Sequence, residues 1–157
     1  MALIIFITAC NFGNIYRYLL SGDVSKALKR EIVDKDAKRV NISELTKFQW
    51  DKFFIFGAYS LVSEICSSLE IKDHECSSKI KYLPMSEGES LFVFLENHKI
   101  VHVEVHIDWN GIFDEAEEKS FTPQNAVFDL VIDKERRFHD GAYITVLRPV
   151  FKNLQSN

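Results

Sequence analysis

The chain has 157 residues, which is enough for one domain with a sizeable core. Its hydrophobic fraction of 46%, with 13 phenylalanines and only three prolines, excludes a disordered chain. The net charge is −4 and the basic residues are scattered, which argues against nucleic-acid binding. No stretch approaches the roughly 20 apolar residues that a membrane-spanning helix needs.

The first ten residues form an apolar run that ends in Ile7-Thr8-Ala9-Cys10, the pattern that a lipoprotein signal peptidase recognises before a lipid-modified cysteine. We expect residues 1–9 to be a cleaved signal segment, Cys10 to carry the lipid anchor and residues 10–157 to form a single globular domain. Asn11 stands where inner-membrane lipoproteins often have Asp, which favours the outer membrane.

A second interpretation of the same run keeps the protein in the cytoplasm. No Lys or Arg precedes the apolar core, and a run of this length also suits a buried strand. In that case residues 2–9 belong to the core of a soluble immunity or adaptor protein.

Residues 12–35 carry apolar side chains at near-helical spacing and predict one or two amphipathic helices with a break at Gly22-Asp23. Asn41 and Glu44 have the spacing of a helix cap and predict a short helix through Phe48. Residues 53–56 follow as a buried strand, and Ser60 is expected to cap a helix on which Leu61, Ile65 and Leu69 share one face.

Three cysteines are present, an odd number that lipidation of Cys10 would explain in an exported protein. Cys66 and Cys76 then remain as a candidate disulfide, which an oxidising compartment would allow. The alternative is two unrelated thiols of a cytoplasmic protein, one on a helix and one in a polar loop.

Residues 91–95 and 100–107 predict a β-hairpin joined by a tight turn at Asn97-His98. Two further strands are expected at 126–132 and 143–147, and 108–125, with the acidic run 114–118, as a long solvated connection. The fold class is therefore α+β, with N-terminal helices followed by a mostly antiparallel sheet and one or two helices packed on one of its faces.

The spacing His102-x-Glu104-x-His106 would align two imidazoles and a carboxylate on one side of a strand, an arrangement that could bind zinc in an envelope hydrolase. Valines alternate with these residues, so they also suit the polar face of a half-buried strand, which is the stronger interpretation. We expect no metal and no other cofactor.

Four residues are candidates for binding another molecule. Trp50 and Asp51 precede the phenylalanine-rich strand, Tyr59 follows it, and Trp109 lies in a predicted turn where an exposed indole would anchor a partner. No P-loop, dinucleotide fingerprint or G-x-S-x-G motif is present, and we expect no enzyme activity.

The segment Trp50-Asp-Lys-Phe-Phe-Ile-Phe-Gly-Ala-Tyr59, with the later Leu91-Phe-Val-Phe94, resembles a group of small bacterial lipoproteins of uncharacterised activity. The resemblance covers roughly residues 40–110, and Ala58 stands where many of those proteins have Pro. It implies a lipid-anchored envelope protein and no catalytic residues. Our leading hypothesis is a protein-binding module of inhibitor or immunity type, whose partner is a toxin or an envelope enzyme.

Overall fold

The computed structural model describes residues 21–80, 86–114, 116, 120–138 and 141–150. The predicted signal segment 1–9, Cys10 and the first part of the predicted 12–35 helical region lie outside these residues. The described helices are α1 (Asp23–Val33), α2 (Val62–Ser68) and α3 (Asp73–Ile80), with single 3-10 turns at Ile42–Glu44 and Asp108–Asn110. The described strands are β1 (Arg39–Asn41), β2 (Lys52–Phe56), β3 (Glu89–Glu96), β4 (Lys99–Ile107), β5 (Ile112–Phe113), β6 (Ser120–Phe121), β7 (Val127–Arg137) and β8 (Tyr143–Pro149).

These strands form two four-stranded sheets. Sheet I has the order β1-β7-β8-β5 and sheet II the order β4-β3-β2-β6. All described pairs are antiparallel except the parallel pair β5 and β8. The α+β class is thus confirmed, while the division into two sheets was not foreseen from the sequence.

The core between the two sheets is rich in aromatic rings. Phe92 of sheet II meets Phe113 of sheet I edge to face, with ring centroids 5.3 Å apart, and Phe121 meets Phe128 at 5.1 Å. Such aromatic pairs add to the stabilisation from buried area. α1 contributes Val24 and Leu28 to the same cluster.

The face of sheet II that points away from sheet I is covered by α2 and α3. The prediction of one or two helices on one face is confirmed. Phe54, Phe56 and Val93 pack there against Ile65 and Leu69 of α2, among other residues. Burial on both faces explains why Leu91–Leu95 is apolar throughout and does not alternate. The helices therefore lie between β2 and β3 in the chain and do not all precede the strands.

Cys66 of α2 and Cys76 of α3 form a disulfide, with an S–S distance of 2.11 Å and both residues buried. The predicted pair is confirmed. α3 itself was not predicted, since its polar sequence resembles a loop and its register follows from Cys76 and Ile80 facing the core.

The tight turn between β3 and β4 is confirmed, with positive φ angles at Asn97 (52°) and His98 (59°). The predicted helix through Phe48 is instead one 3-10 turn, although Asn41 does cap it by accepting the N–H of Ser43. Ser60 does not cap α2. Its hydroxyl donates to the Gly57 carbonyl, and Leu61 occupies the N-cap with 61% of its surface exposed.

The expectation of a solvated connection over 108–125 is wrong. This stretch contains the second 3-10 turn, β5 and β6, and it buries Phe113, Ala116 and Phe121. Two-residue strands give too short an alternation for a sequence pattern to reveal. Of the acidic run 114–118, only Asp114 and Ala116 are described.

Candidate binding face and its buried polar support

The polar side chains of β4 do share one face, as their spacing predicts. The His102 Nε2 and a Glu104 carboxylate oxygen are 2.8 Å apart, and the His106 ring stacks on Phe92. That face points into the protein, however, because Glu104 is 5% exposed and His106 1%, whereas Val101 on the other face is 41% exposed. The interpretation of these residues as a half-buried strand's polar surface is therefore wrong.

Glu104 caps helix α1 across the fold. Its two carboxylate oxygens accept the backbone N–H groups of Val24 (3.2 Å) and Ser25 (2.8 Å), which have no partner within the helix. A carboxylate at a helix N-terminus is also stabilised by the helix dipole. The N-cap Gly22 is needed here, because a Cβ at this position would collide with the Glu104 side chain.

His106 links α1 to the turn that follows β4. Its Nε2 lies 2.7 Å from the Gly111 carbonyl and its Nδ1 lies 2.9 Å from the Ser25 hydroxyl. Burial lowers the pKa of His106 to about 4, so the ring is neutral at pH 7. Since a carbonyl can only accept, Nε2 carries the proton, and the Ser25 hydroxyl donates to Nδ1.

Asn110 completes this network. Its Nδ2 donates to the Ser25 hydroxyl oxygen at 2.9 Å, which fixes the orientation of the amide because the single Ser25 hydrogen is already given to His106. Its Oδ1 is buried and has no hydrogen-bond partner. Together, Ser25, His106 and Asn110 hold the 108–111 turn, and with it Trp109, against α1.

This geometry does not favour catalysis or metal binding by the β4 side chains. Both nitrogens of His106 and both oxygens of Glu104 are engaged with the protein's own groups. Across the described ranges, no group of three His, Cys, Asp or Glu side chains could hold a metal ion. Ser25 and His106 have the spacing of a nucleophile and its base, but at 0% and 1% exposure neither can meet a substrate.

The four predicted binding residues are divided between the two ends of sheet II. The register pairs Lys52 with Leu95 at one end. At the other end Leu91 pairs with Phe56 of β2 and with Val105 of β4. Trp50 and Asp51 therefore lie at the first end, where the Trp50 Nε1 donates to Thr46 (3.0 Å) and Asp51 accepts the N–H of Asn97 (2.6 Å).

Tyr59 and Trp109 lie at the opposite end, where β2 and β4 finish. Tyr59 is 73% exposed, and Leu61 beside it is 61% exposed. The Trp109 indole is half-buried and packs on Phe138, with ring centroids 4.6 Å apart. This end of the fold therefore carries two candidate binding sites, the Tyr59–Leu61 loop and the Trp109–Phe138 pair. Leu61 and Phe138 were not singled out in the sequence because neither belongs to a motif.

The loop that carries Tyr59 is held in place by hydrogen bonds. The Gly57 carbonyl accepts both the N–H and the hydroxyl of Ser60, and the Glu64 carboxylate accepts the Leu61 N–H at 3.1 Å. Tyr59 has a φ of 68°, a left-handed conformation that is costly for a residue with a bulky side chain.

Comparison with protein-family models, with curated proteins and with solved structures gives no match to this chain. In the part of the chain that the structure describes, no helix is long and apolar enough to cross a membrane.

Proposed function

We propose that this chain is an exported, lipid-anchored envelope domain that binds another protein and acts as an inhibitor or immunity-type module. Export from the cytoplasm is supported by the Cys66–Cys76 disulfide, because such bonds persist in oxidising compartments. With these two cysteines paired, Cys10 is the remaining one of three and takes the lipid. The residue after it, Asn11, favours the outer membrane.

The observation that carries protein binding is the exposed, hydrogen-bonded Tyr59–Leu61 loop. Two large apolar side chains point to solvent where they contribute little to folding, and one of them is retained in a strained backbone conformation. Tyrosine is enriched among residues that dominate binding energy, and a rigid loop loses little entropy when a partner binds. An exposed apolar loop of this kind suits insertion into the cleft of a toxin or an envelope enzyme.

The charge of the domain favours a basic partner. The net charge is −4, and Asp114 of the acidic run is partly exposed, 3.8 Å from Arg148. A negative charge on a domain raises the rate of its association with a basic surface and reduces the binding of wrong partners.

Export and lipid modification are tested by measuring the intact mass of the protein expressed from its own gene with its upstream sequence. A Cys10→Ala variant serves as the control. We expect a species that begins at Cys10 and carries acyl mass, and no such species from the control. An unmodified chain that retains Met1 would refute export and support the cytoplasmic alternative, with residues 2–9 in the core.

Binding is tested by quantitative recovery of envelope proteins on the immobilised domain. Tyr59→Asn removes the ring but accepts the positive φ, so the variant keeps its fold. We expect it to lose the specific partner, whereas Val101→Ser, which removes an exposed apolar side chain elsewhere, retains it. Equal recovery by both variants would exclude the loop as the binding element.

A further inference from the structure

A groove beside Trp109 is separate from the Tyr59 loop. It has a volume of about 150 Å³ and lies between the end of α1, the 108–111 turn and the β7–β8 hairpin. Ile32 and Val33 of α1 form one wall, and Trp109, Phe138 and Tyr143 supply the aromatic part of its lining. Val33 is 64% exposed and Tyr143 47%, so the rim is open to a ligand from solution.

One of the residues that line this groove carries a buried hydrogen-bond acceptor. Asn110 is among its lining residues and is 1% exposed, and its Oδ1 has no partner within the described residues. The amide cannot simply rotate to pair this oxygen, because its Nδ2 must donate to Ser25. A buried acceptor without a donor is unfavourable, so a ligand that brings a donor would gain from pairing it.

The size and lining of the groove define the rest of the ligand. A cavity of about 150 Å³ accommodates a single benzene-sized ring. The neighbouring Trp109 and Phe138 rings allow edge or offset contacts with such a ring.

Positively charged side chains near the groove limit which side chains can occupy it. Lys29 lines the groove, and the Arg137 guanidinium lies 4.2 Å from the centre of the Tyr143 ring. A positive charge among the lining residues and a second one beside Tyr143 disfavour a lysine or arginine as the inserted side chain.

We propose that this groove is a binding site for one aromatic side chain that carries a hydrogen-bond donor, a tyrosine of the partner protein, whose O–H pairs with Asn110 Oδ1. Reaching this oxygen requires rim side chains to shift, a change that is common when partners bind. This proposal rests on the proposed function in one respect, namely that the side chain in the groove belongs to a protein partner.

The site can be tested without the partner, on the purified full chain, with p-cresol as the tyrosine side chain and toluene as the matched ring without a donor. In ¹H–¹⁵N spectra we expect saturable shifts at residues 108–111 and 143–145, and about fivefold tighter binding of p-cresol than of toluene. Equal affinities would refute the pairing with Asn110, and the absence of saturable shifts would refute the site.

Two variants locate the binding. Trp109→Ala removes one wall, and Val33→Glu places a charge at the exposed rim without opening the core, so it serves if the first variant unfolds. We expect either variant to bind p-cresol at least tenfold more weakly than the unchanged chain does. The Val101→Ser variant should bind p-cresol with unchanged affinity. Because the Cys10 mass and the Tyr59→Asn recovery do not depend on this groove, its failure is distinguishable from failure of the proposed function.

Discussion

At the scale of single residues, buried polar side chains govern how α1 is attached. His106 accepts from Ser25 and donates to Gly111, and it can do both only while neutral. Glu104 pairs with helix N–H groups that would otherwise be buried without a partner. The contacts of Glu104 and His106 with α1 join residues about 80 positions apart in the chain.

We expect His106 to make the protein sensitive to mild acid. Its folded pKa of about 4 lies below the ordinary value of 6.5, so the unfolded chain takes up a proton first as the pH falls. The free energy of unfolding should then decrease between pH 6.5 and pH 4 by about 3 kcal/mol in total. Urea unfolding at several pH values measures this. His106→Gln should lack this part of the decrease and exposed His98→Gln should retain it, and equal slopes for all three proteins would contradict the assignment.

Glu104→Ala should destabilise the fold by about 3 kcal/mol. The variant loses the cap of α1 and leaves the Val24 and Ser25 N–H groups unpaired in a buried place. Chemical denaturation measures the loss, with Glu135→Ala as an exposed control that should change stability by less than about 0.5 kcal/mol. A loss no larger than the control's would show that water replaces the carboxylate.

Tyr59→Asn should raise stability by about 0.5–1 kcal/mol, because asparagine tolerates the left-handed backbone better than tyrosine. Thermal unfolding of the purified variant tests this. A loss of stability would mean that the tyrosine ring supports the fold, and it would weaken the case for a binding role.

At the scale of elements, α2 and α3 form a helical hairpin that the disulfide ties together over the outer face of sheet II. The sulfur atoms lie inside a cluster with Ile65, Leu69 and Ile80, so the bond and the apolar contacts act on the same pair of helices. α3 is short, and its polar sequence gives it little tendency to form alone.

Removing the disulfide should therefore be costly. In the loop-entropy account, closing a loop between cysteines ten positions apart contributes about 2–3 kcal/mol. The double variant Cys66→Ala, Cys76→Ala should lose at least this much in urea unfolding, and hydrogen exchange should show the loss first in α3. Cys10→Ala is the matched control, and a loss in that variant instead would contradict the pairing.

At the scale of the whole molecule, the long strands and the α+β class follow from sequence patterns, and the assembly into two sheets does not. The β3–β4 hairpin is evident because Asn97-His98 joins two apolar runs. β5 and β6 are too short to show a period, and they exist because Phe113 and Phe121 fill the space between the sheets. The alternation of valines with polar residues in β4 predicts that the polar side faces solvent, whereas the structure buries it. Glu104 and His106 form hydrogen bonds with α1, and such a long-range contact cannot be predicted from local alternation.

The same holds for the candidate site. Tyr59 and Trp109 could be selected from residue type and turn position, but their shared end of sheet II depends on the strand register. The groove depends on Phe138 and Tyr143, which approach Trp109 only when the two sheets have packed. Residue type therefore identifies candidate binding residues, and tertiary packing decides where they lie relative to one another.

The export proposal makes a prediction for the whole domain. A chain that begins at Cys10 should keep the melting temperature of the full chain, because a cleaved signal segment contributes nothing to the mature fold. Thermal unfolding followed by circular dichroism measures both proteins. An unfolded or strongly destabilised shorter chain would place residues 2–9 in the core and support the cytoplasmic alternative.

Sheet I sets the order in which the chain can fold during its synthesis. β1 pairs with β7, and the parallel strand β5 needs β8, which ends at Pro149. Translation adds about 5–20 residues per second. The last strand of sheet I is therefore synthesised on the order of ten seconds after β1. Under the export proposal, this delay would keep sheet I open while the chain passes a translocation channel, and the sheet would close only after β8 has been released.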